Sequence, residues 1–523
     1  MAERAKPVTA SVWAGILAAL AFPALILAAF AAVLLSAETG RAPSTSDWAA
    51  IRFTLLQAIV SAVVSVLMAI PVARALARRK FPGRAFLVTL LGAPFLLPVI
   101  VAIFGLLAVF GRGGVVNAAL GWFGLPPISI YGFHGVVLAH VFFNMPLATR
   151  LVLQGWAEIP SERFRLAASL GMDASAVNRH LERPMLMTVV PGAALVIFVI
   201  CTTSFAVALT LGGGPSATTI ELAIYQAVRF EFDLARASYL SLFQLAITGF
   251  VAFFALRYSG YAGVGAGLDR VLRRWDAENS FLRSIDALAI ATATIFLIAP
   301  IFMVVARGYS AIPFMSTSVW TAALTSIVVA LCSTVLTVLL AITIALAATQ
   351  LRPHGKLLEI AGLLAVAASP LVMGTGLFLM IFPHADPAKF ALSVTVLVNA
   401  MMTLPFALRA MLPAVRNVEA DYGRLADSLG LVGWDRVRVL ILPRIRRPLG
   451  FAAGLAAALS MGDLGVIALF ADPETATLPL QVYRLMGAYR MEEAGAAAVL
   501  LLFLTFGIFY VFDRWMSHDA HAR

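Results

Sequence analysis

Stretches of twenty or more apolar residues recur from one end of this chain to the other, and that recurrence limits the fold more than any other feature. A bilayer's hydrocarbon core is crossed by about 20 consecutive apolar helical residues. Twelve such runs can be placed, near 12–35, 53–76, 86–110, 134–153, 188–211 and 237–256, then 285–306, 322–348, 357–382, 390–412, 450–470 and 494–512. Composition agrees: 61% of the 523 residues are hydrophobic and only 12% are charged. A soluble core cannot hide so much apolar side chain, because too much area still faces water. A soluble enzyme, a disordered chain and a disulfide scaffold are excluded. The expectation is an all-α integral membrane protein of about twelve transmembrane helices. The first run follows Arg4 and Lys6 as a secretory signal would, but its length exceeds a signal's apolar region, so it is read as a span.

Net charge is +11, from 38 basic and 27 acidic residues. In a multi-span chain the placement of basic residues matters more than their sum, since Lys and Arg gather in cytoplasmic loops. With the amino terminus inside, about 29 of them fall on the cytoplasmic side and about 9 opposite. Arg78, Arg79, Lys80 and Arg84 form one cluster, Arg270, Arg273 and Arg274 a second, and Arg436, Arg438, Arg444, Arg446 and Arg447 a third. An even number of spans, with both termini cytoplasmic, keeps these clusters together, and no nucleic-acid partner is needed to explain them. Cys201 and Cys332 fall inside spans and read as small packing residues.

The chain also repeats itself. RLAASLG at 165–171 recurs as RLADSLG at 424–430, an offset of 259, and at that offset Pro146, Ala148, Arg150 and Pro184 match Pro405, Ala407, Arg409 and Pro443. Earlier in each half Pro82 and Pro98 match Pro353 and Pro370 at offsets near 271, so the first half carries a longer loop after its third span, around 111–133. Two parallel six-span halves follow: 1–258 with a loop at about 154–187, a cytoplasmic linker at 259–283, and 284–523 with a loop at about 413–448. Each repeated loop should hold a short helix, capped near Ser161 in the first copy and stopped by glycine. Leu166 and Leu170, repeated as Leu425 and Leu429, give it a small apolar face. A rod tied to two spans can carry a push from a partner into the membrane.

Ala167, Gly171, Leu181 and Pro184, then Leu425, Gly430, Leu440, Leu442 and Pro443, resemble the coupling loop of ATP-binding cassette importer permeases. Two features depart from that pattern: Arg165 and Arg424 stand where the family has a glutamate, and Arg183 replaces an aliphatic residue. The resemblance implies that Arg165, Leu166, Ala167, Gly171 and Pro184, with Arg424, Leu425, Ala426, Gly430 and Pro443, dock two copies of an ATPase subunit. Segments at 78–84, 139–146, 211–227 and 460–470 are similar to the fused permeases that import thiamine or its pyrophosphate. That likeness implies a thiamine-type solute, a periplasmic substrate-binding protein and a bacterial inner membrane. Iron, a polyamine or an anion is the alternative cargo.

No Gly-x-x-x-x-Gly-Lys-Ser/Thr loop is present, so ATP and its Mg should bind a partner and this chain should hold no cofactor, metal or catalytic residue. Asp463, inside the eleventh run, is costly in a membrane and either faces a cationic solute or pairs with a neighbouring helix's Asn, Thr or backbone. His140 and Asn144 lie one turn apart in the fourth run, as do Asn399 and Thr403 in the tenth. These pairs either line a pathway or bond neighbouring helices. Gly212 to Pro215 should break the fifth helix, with short external helices at 219–230 and 477–490. Glu221, Tyr225 and its repeat partner Tyr483 are the candidate contacts for a binding protein. A secondary transporter of the major facilitator type is the rival class, but the repeated loop is foreign to it.

Overall fold

The computed structural model describes residues 10–37, 43–258, 279–351, 355–363, 369–471 and 475–517. Every regular element among them is helical. The first half contributes α1 (Ala10–Ser36), α2 (Thr45–Arg78), α3 (Val99–Phe110), α4 (Val115–Trp122), α5 (Phe133–Glu158), α6 (Ser161–Ser169), α7 (Arg183–Thr202), α8 (Phe205–Leu211), α9 (Ile220–Gln226) and α10 (Leu234–Tyr258). The second contributes α11 (Ser280–Gly308), α12 (Thr317–Gln350), α13 (Gly355–Leu363), α14 (Pro370–Ile381), α15 (Ala391–Ser428), α16 (Arg446–Met461), α17 (Gly465–Phe470), α18 (Leu478–Gly487) and α19 (Met491–Ser517). Smaller turns join them. Helix is what lipid demands, because it satisfies every backbone N–H and C=O within one segment.

Eleven helical segments among the described residues are long and apolar enough to cross a membrane. The ninth expected run is in two described pieces, α13 and α14. Arg270, Arg273, Arg274 and most of the expected linker lie outside the described residues.

The chain forms two compact units that do not coincide with its sequence halves. One comprises residues 1–41, 224–245 and 310–523; the other comprises 42–223 and 246–309. The first span of each half therefore packs in the unit built mainly from the other half: α1 lies on α12 and α14, and α11 lies on α2 and α3. Two glycines at matched positions permit this. A methyl group on Gly105 of α3 would sit 2.4 Å from the Pro300 carbonyl oxygen of α11. One on Gly376 of α14 would sit 2.5 Å from the Ala29 carbonyl oxygen of α1. Both pairs differ by 271 positions, so the same close backbone approach is built twice. Small residues at such crossings are how helices gain packing where lipid gives no hydrophobic drive.

One exchanged span is also held by charge. Arg79 Nε donates to Asp286 Oδ2 at 2.8 Å, and Arg78 Nη2 lies 3.5 Å from Asp286 Oδ1. Arg78 and Asp286 are both buried, which ties the start of α11 to the end of α2.

Gly105→Val and Gly376→Val should each lower stability by about 1–3 kcal/mol, because each added side chain meets rigid backbone. Gly362→Ala meets only the movable end of Leu408 and should be milder. Thermal unfolding of the purified chain in detergent would rank the three.

Candidate functional site

The two repeated loops begin differently and end alike. In the first half Pro160, which has no N–H to give, separates α5 from α6. The matched position in the second half is Glu419, and α15 runs unbroken for 38 residues through the repeated segment. Ser161 is not the capping residue that the sequence suggests. Pro160 holds that position, and the Ser161 hydroxyl instead donates to Glu162 Oε1 at 3.0 Å.

At their ends the two helices share one geometry. Gly171 and Gly430 adopt φ of +65° and +67°. The N–H of Met172 donates to the Ala167 carbonyl and that of Gly171 to Ala168, at 3.0 and 3.1 Å. Leu431 and Gly430 repeat this on Ala426 and Asp427 at 3.0 and 3.2 Å. This is the glycine-ended Schellman closure, which satisfies carbonyls that a helix end leaves open. Ser169 and Ser428 each donate to the carbonyl three residues back, Leu166 and Leu425.

The shared letters thus have separate tasks. Ala167 and Ala426 are buried beneath the helix. Leu166 and Leu170 are 60% and 68% exposed, and Leu425 and Leu429 56% and 67%. Arg165 and Arg424 point outward as well. Arg165 pairs with Glu162 at 2.8 Å in the open, worth little to stability. The Glu162 carboxyl stays below its ordinary range through a backbone amide, the Ser161 hydroxyl and Arg165.

Each loop then makes one widened turn, at Asn178–Glu182 and Arg436–Ile441, in which an N–H reaches the carbonyl five residues back. The exposed prolines Pro184 and Pro443 follow at once. A proline ring collides with the carbonyl four residues earlier in a regular helix, and widening the turn relieves that.

Sequence reasoning missed the ion pairs that fix these loops. Glu182, fully buried, takes Arg74 Nε of α2 at 2.8 Å. In the second half Arg436 donates to Glu419 Oε1 at 2.9 Å, to Asp427, and to the Gly423 carbonyl. Hydrogen bonding to Glu419 raises the Arg436 pKa further above its ordinary value. At the repeat offset Glu182 matches Ile441, Arg436 matches Val177 and Glu419 matches Pro160. Neither pin is duplicated, so the repeat gave no hint of them.

The polar pairs of the spans bond neighbouring helices. His140 Nδ1 lies 3.3 Å from Ser61 Oγ, and Asn144 Nδ2 donates to the His140 carbonyl and to Cys201 Sγ. In the second half Asn399 Nδ2 donates to Ser460 Oγ at 2.9 Å, and Ser460 donates to Ser333. Thr403 and Thr337 hydroxyls meet at 2.8 Å. All four predicted residues are buried. Ser61, Cys201 and Ser65 occupy the positions of Ser333, Ser460 and Thr337, so one three-helix polar contact is built twice.

Asp463 sits where the eleventh run breaks between α16 and α17. Its Oδ1 accepts the Gly465 N–H at 3.3 Å, while its Oδ2 is buried with no hydrogen-bond partner among the described residues. The matched break in the first half is at Thr203 and Ser204, between α7 and α8. It therefore precedes the Gly212–Pro215 break that the sequence suggested, where the helix ends for good.

The short helices beyond these breaks are α9 and α18. Each starts on a hydroxyl from the second span of its half: the Ile220 N–H donates to Thr54 at 2.9 Å and the Leu478 N–H to Ser326 at 2.7 Å. Glu221 and Tyr225 are buried and Tyr483 is half-buried. Arg229, just past α9, donates to the Ala471 carbonyl at 2.7 Å. Among the described residues no group of three His, Cys, Asp or Glu is placed to hold a metal.

Arg436→Ala should loosen the second loop alone. Losing charged hydrogen bonds worth about 1.5–3 kcal/mol should speed amide exchange over 419–431 by about tenfold or more, with 161–172 unchanged. Hydrogen-exchange mass spectrometry of the full chain would check it.

No family model matches the chain. It is 38% identical over 535 residues to the thiamine transport system permease protein ThiP of Salmonella typhimurium, covering 99% of each chain. It is 39% identical over 478 residues to ThiP of Escherichia coli, covering 89% of each, and 37% identical over 525 residues to ThiP of Brucella abortus, covering 99% of this chain and 96% of that one. A shorter match, 31% over 122 residues, is to the sulfate transport system permease protein CysW of Synechococcus elongatus, covering 23% of this chain and 42% of that one. The likeness runs through both halves and both loops, and the chain belongs to the family of thiamine transport system permease proteins.

Proposed function

We propose that this chain is the membrane-spanning permease of an ATP-driven importer and carries thiamine or its phosphates across a bacterial inner membrane. The observation that carries the reading is the pair of Schellman-closed helices at 161–171 and 420–430, each offering two exposed leucines over a buried alanine. Two ATPase subunits would seat on them, one per loop, and supply the ATP and Mg chemistry, in keeping with a sequence that has no Gly-x-x-x-x-Gly-Lys-Ser/Thr loop. Both termini and both loops would face the cytoplasm, in keeping with the basic clusters. The full-length relatives carry thiamine in their names, which supports the cargo.

Force on such a loop passes through rigid parts. The glycine ends hold each helix to its widened turn, and the turn leads into the fifth span of its half. Those spans contain the breaks at Thr203 and Ser204 and at Asp463, so the halves can move about these points as access alternates. Asp463 Oδ2, buried and unfilled, is the acceptor we assign to the thiazolium charge. A substrate-binding protein would meet the outer surface around α9 and α18. Since Glu221 and Tyr225 are buried there, their contact with it requires the outer face to open first.

Gly171→Val with Gly430→Val places a β-branched residue at positive φ, at about 1–2 kcal/mol per site, and opens both helix ends. Uptake into vesicles holding the ATPase and binding protein should fall severalfold while the chain still inserts; full uptake would defeat the coupling role. Asp463→Asn should weaken uptake of the cation while leaving ATP hydrolysis coupled. Uptake should also collapse on ATP depletion and survive loss of the proton gradient.

A further inference from the structure

The loop that lengthens the first half is a folded excursion with an apolar tip. It leaves α3 at Gly111, forms α4, and returns through 123–132 to α5. Asn117 closes it: Nδ2 donates to the Gly111 and Ile128 carbonyls at 2.9 Å each, and Oδ1 accepts the Ile128 N–H at 2.8 Å. Its base is equally fixed, since Arg307 of α11 donates to the Gly113 carbonyl at 2.7 Å and the Gly132 N–H donates to the Leu211 carbonyl at 2.8 Å. Closely approaching backbone at Gly114 and Gly135 leaves no room for a side chain. The excursion is therefore preformed.

What it presents is unusual for a surface in water. Residues 121–129 are all exposed, with Trp122 at 87% and Phe123 at 79%, and Leu125 and Ile128 beside them. Between Arg112 and His134 the sequence has no Asp, Glu, Lys or Arg. Tyr309, at the end of the helix that bonds Gly113, is exposed too.

We propose that residues 115–131 form an interfacial anchor, lying in the lipid headgroup layer on the membrane face where α3 ends, with Trp122 and Phe123 seated at the edge of the acyl chains. Three observations favour lipid as the occupant. The segment continues directly from α3, the end of the third apolar run. It carries Trp122 exposed at its tip, and Trp is a residue that collects at bilayer surfaces. And it lacks the charges that would keep it soluble. A solute-delivering protein docks and leaves, and between visits this patch would stand bare in water, a large contiguous apolar area of the kind soluble surfaces avoid. Lipid covers it permanently.

The test places a nitroxide at Trp122→Cys in the full-length chain with Cys332→Ser, leaving the buried Cys201 in place, in phospholipid vesicles. Collisions with oxygen and with a water-soluble nickel chelate are compared with those of a label at the exposed Glu162→Cys. The ratio of oxygen to nickel accessibility should be severalfold higher at 122 than at 162, with and without a substrate-binding protein. A ratio equal to that at 162 would overturn the anchor. So would shielding from nickel that arises only when the binding protein is added, which would assign the patch to a protein partner. Phe123→Cys repeats the measurement if the first variant is poorly recovered.

Discussion

Inside a bilayer the peptide backbone has nothing to bond but itself, and the rest of this molecule is organised around that fact. Long unbroken helices meet the demand outright. Wherever the chain departs from helix at membrane depth, something nearby must receive the freed groups. At 461–465 the Asp463 carboxylate takes an amide of the resuming helix. At the start of α9 and α18, the hydroxyls of Thr54 and Ser326 take the leading amides. Each of these three places has its acceptor in position.

The repeat explains how so many constraints are met with so little invention. Glycine against carbonyl at Gly105 and Gly376, hydroxyl against amide at Thr54 and Ser326, and polar side chains between three helices at His140 and Asn399 are each one solution used twice. The two loops diverge at their entries and in their supports. Pro160 against Glu419 gives the two loops different entries, and the Arg74–Glu182 and Arg436–Glu419 pairs give them different supports. On the outward side of the two helices, by contrast, Arg165, Leu166, Ser169 and Leu170 recur as Arg424, Leu425, Ser428 and Leu429, while Ala168 is replaced by Asp427.

Much of this was legible in the sequence, for identifiable reasons. Apolar run length counts spans because the bilayer imposes it, and RLAASLG against RLADSLG located both loops because glycine at positive φ and a buried alanine tolerate few replacements. Other features were hidden. Ser161 looked like a helix cap, but Pro160 ends the preceding helix at once and takes the capping position itself. The break at Thr203–Ser204 carries no glycine or proline, so Gly212–Pro215 drew attention instead. Buried Glu221 and Tyr225 read as surface residues because local polarity says nothing about what packs over it. Long-range ion pairs such as Arg79–Asp286 join positions with no shared pattern.

The exchange of first spans has a consequence for synthesis. α1 leaves the ribosome well before the helices it rests on, α12 and α14, which are translated only after the whole of the first half is finished. Until then its Ala29 carbonyl and small-residue seam face lipid or insertion machinery. Final assembly of this protein is therefore a late event, and a ribosome stalled at mid-message would release a first half with one helix orphaned and one docking groove empty.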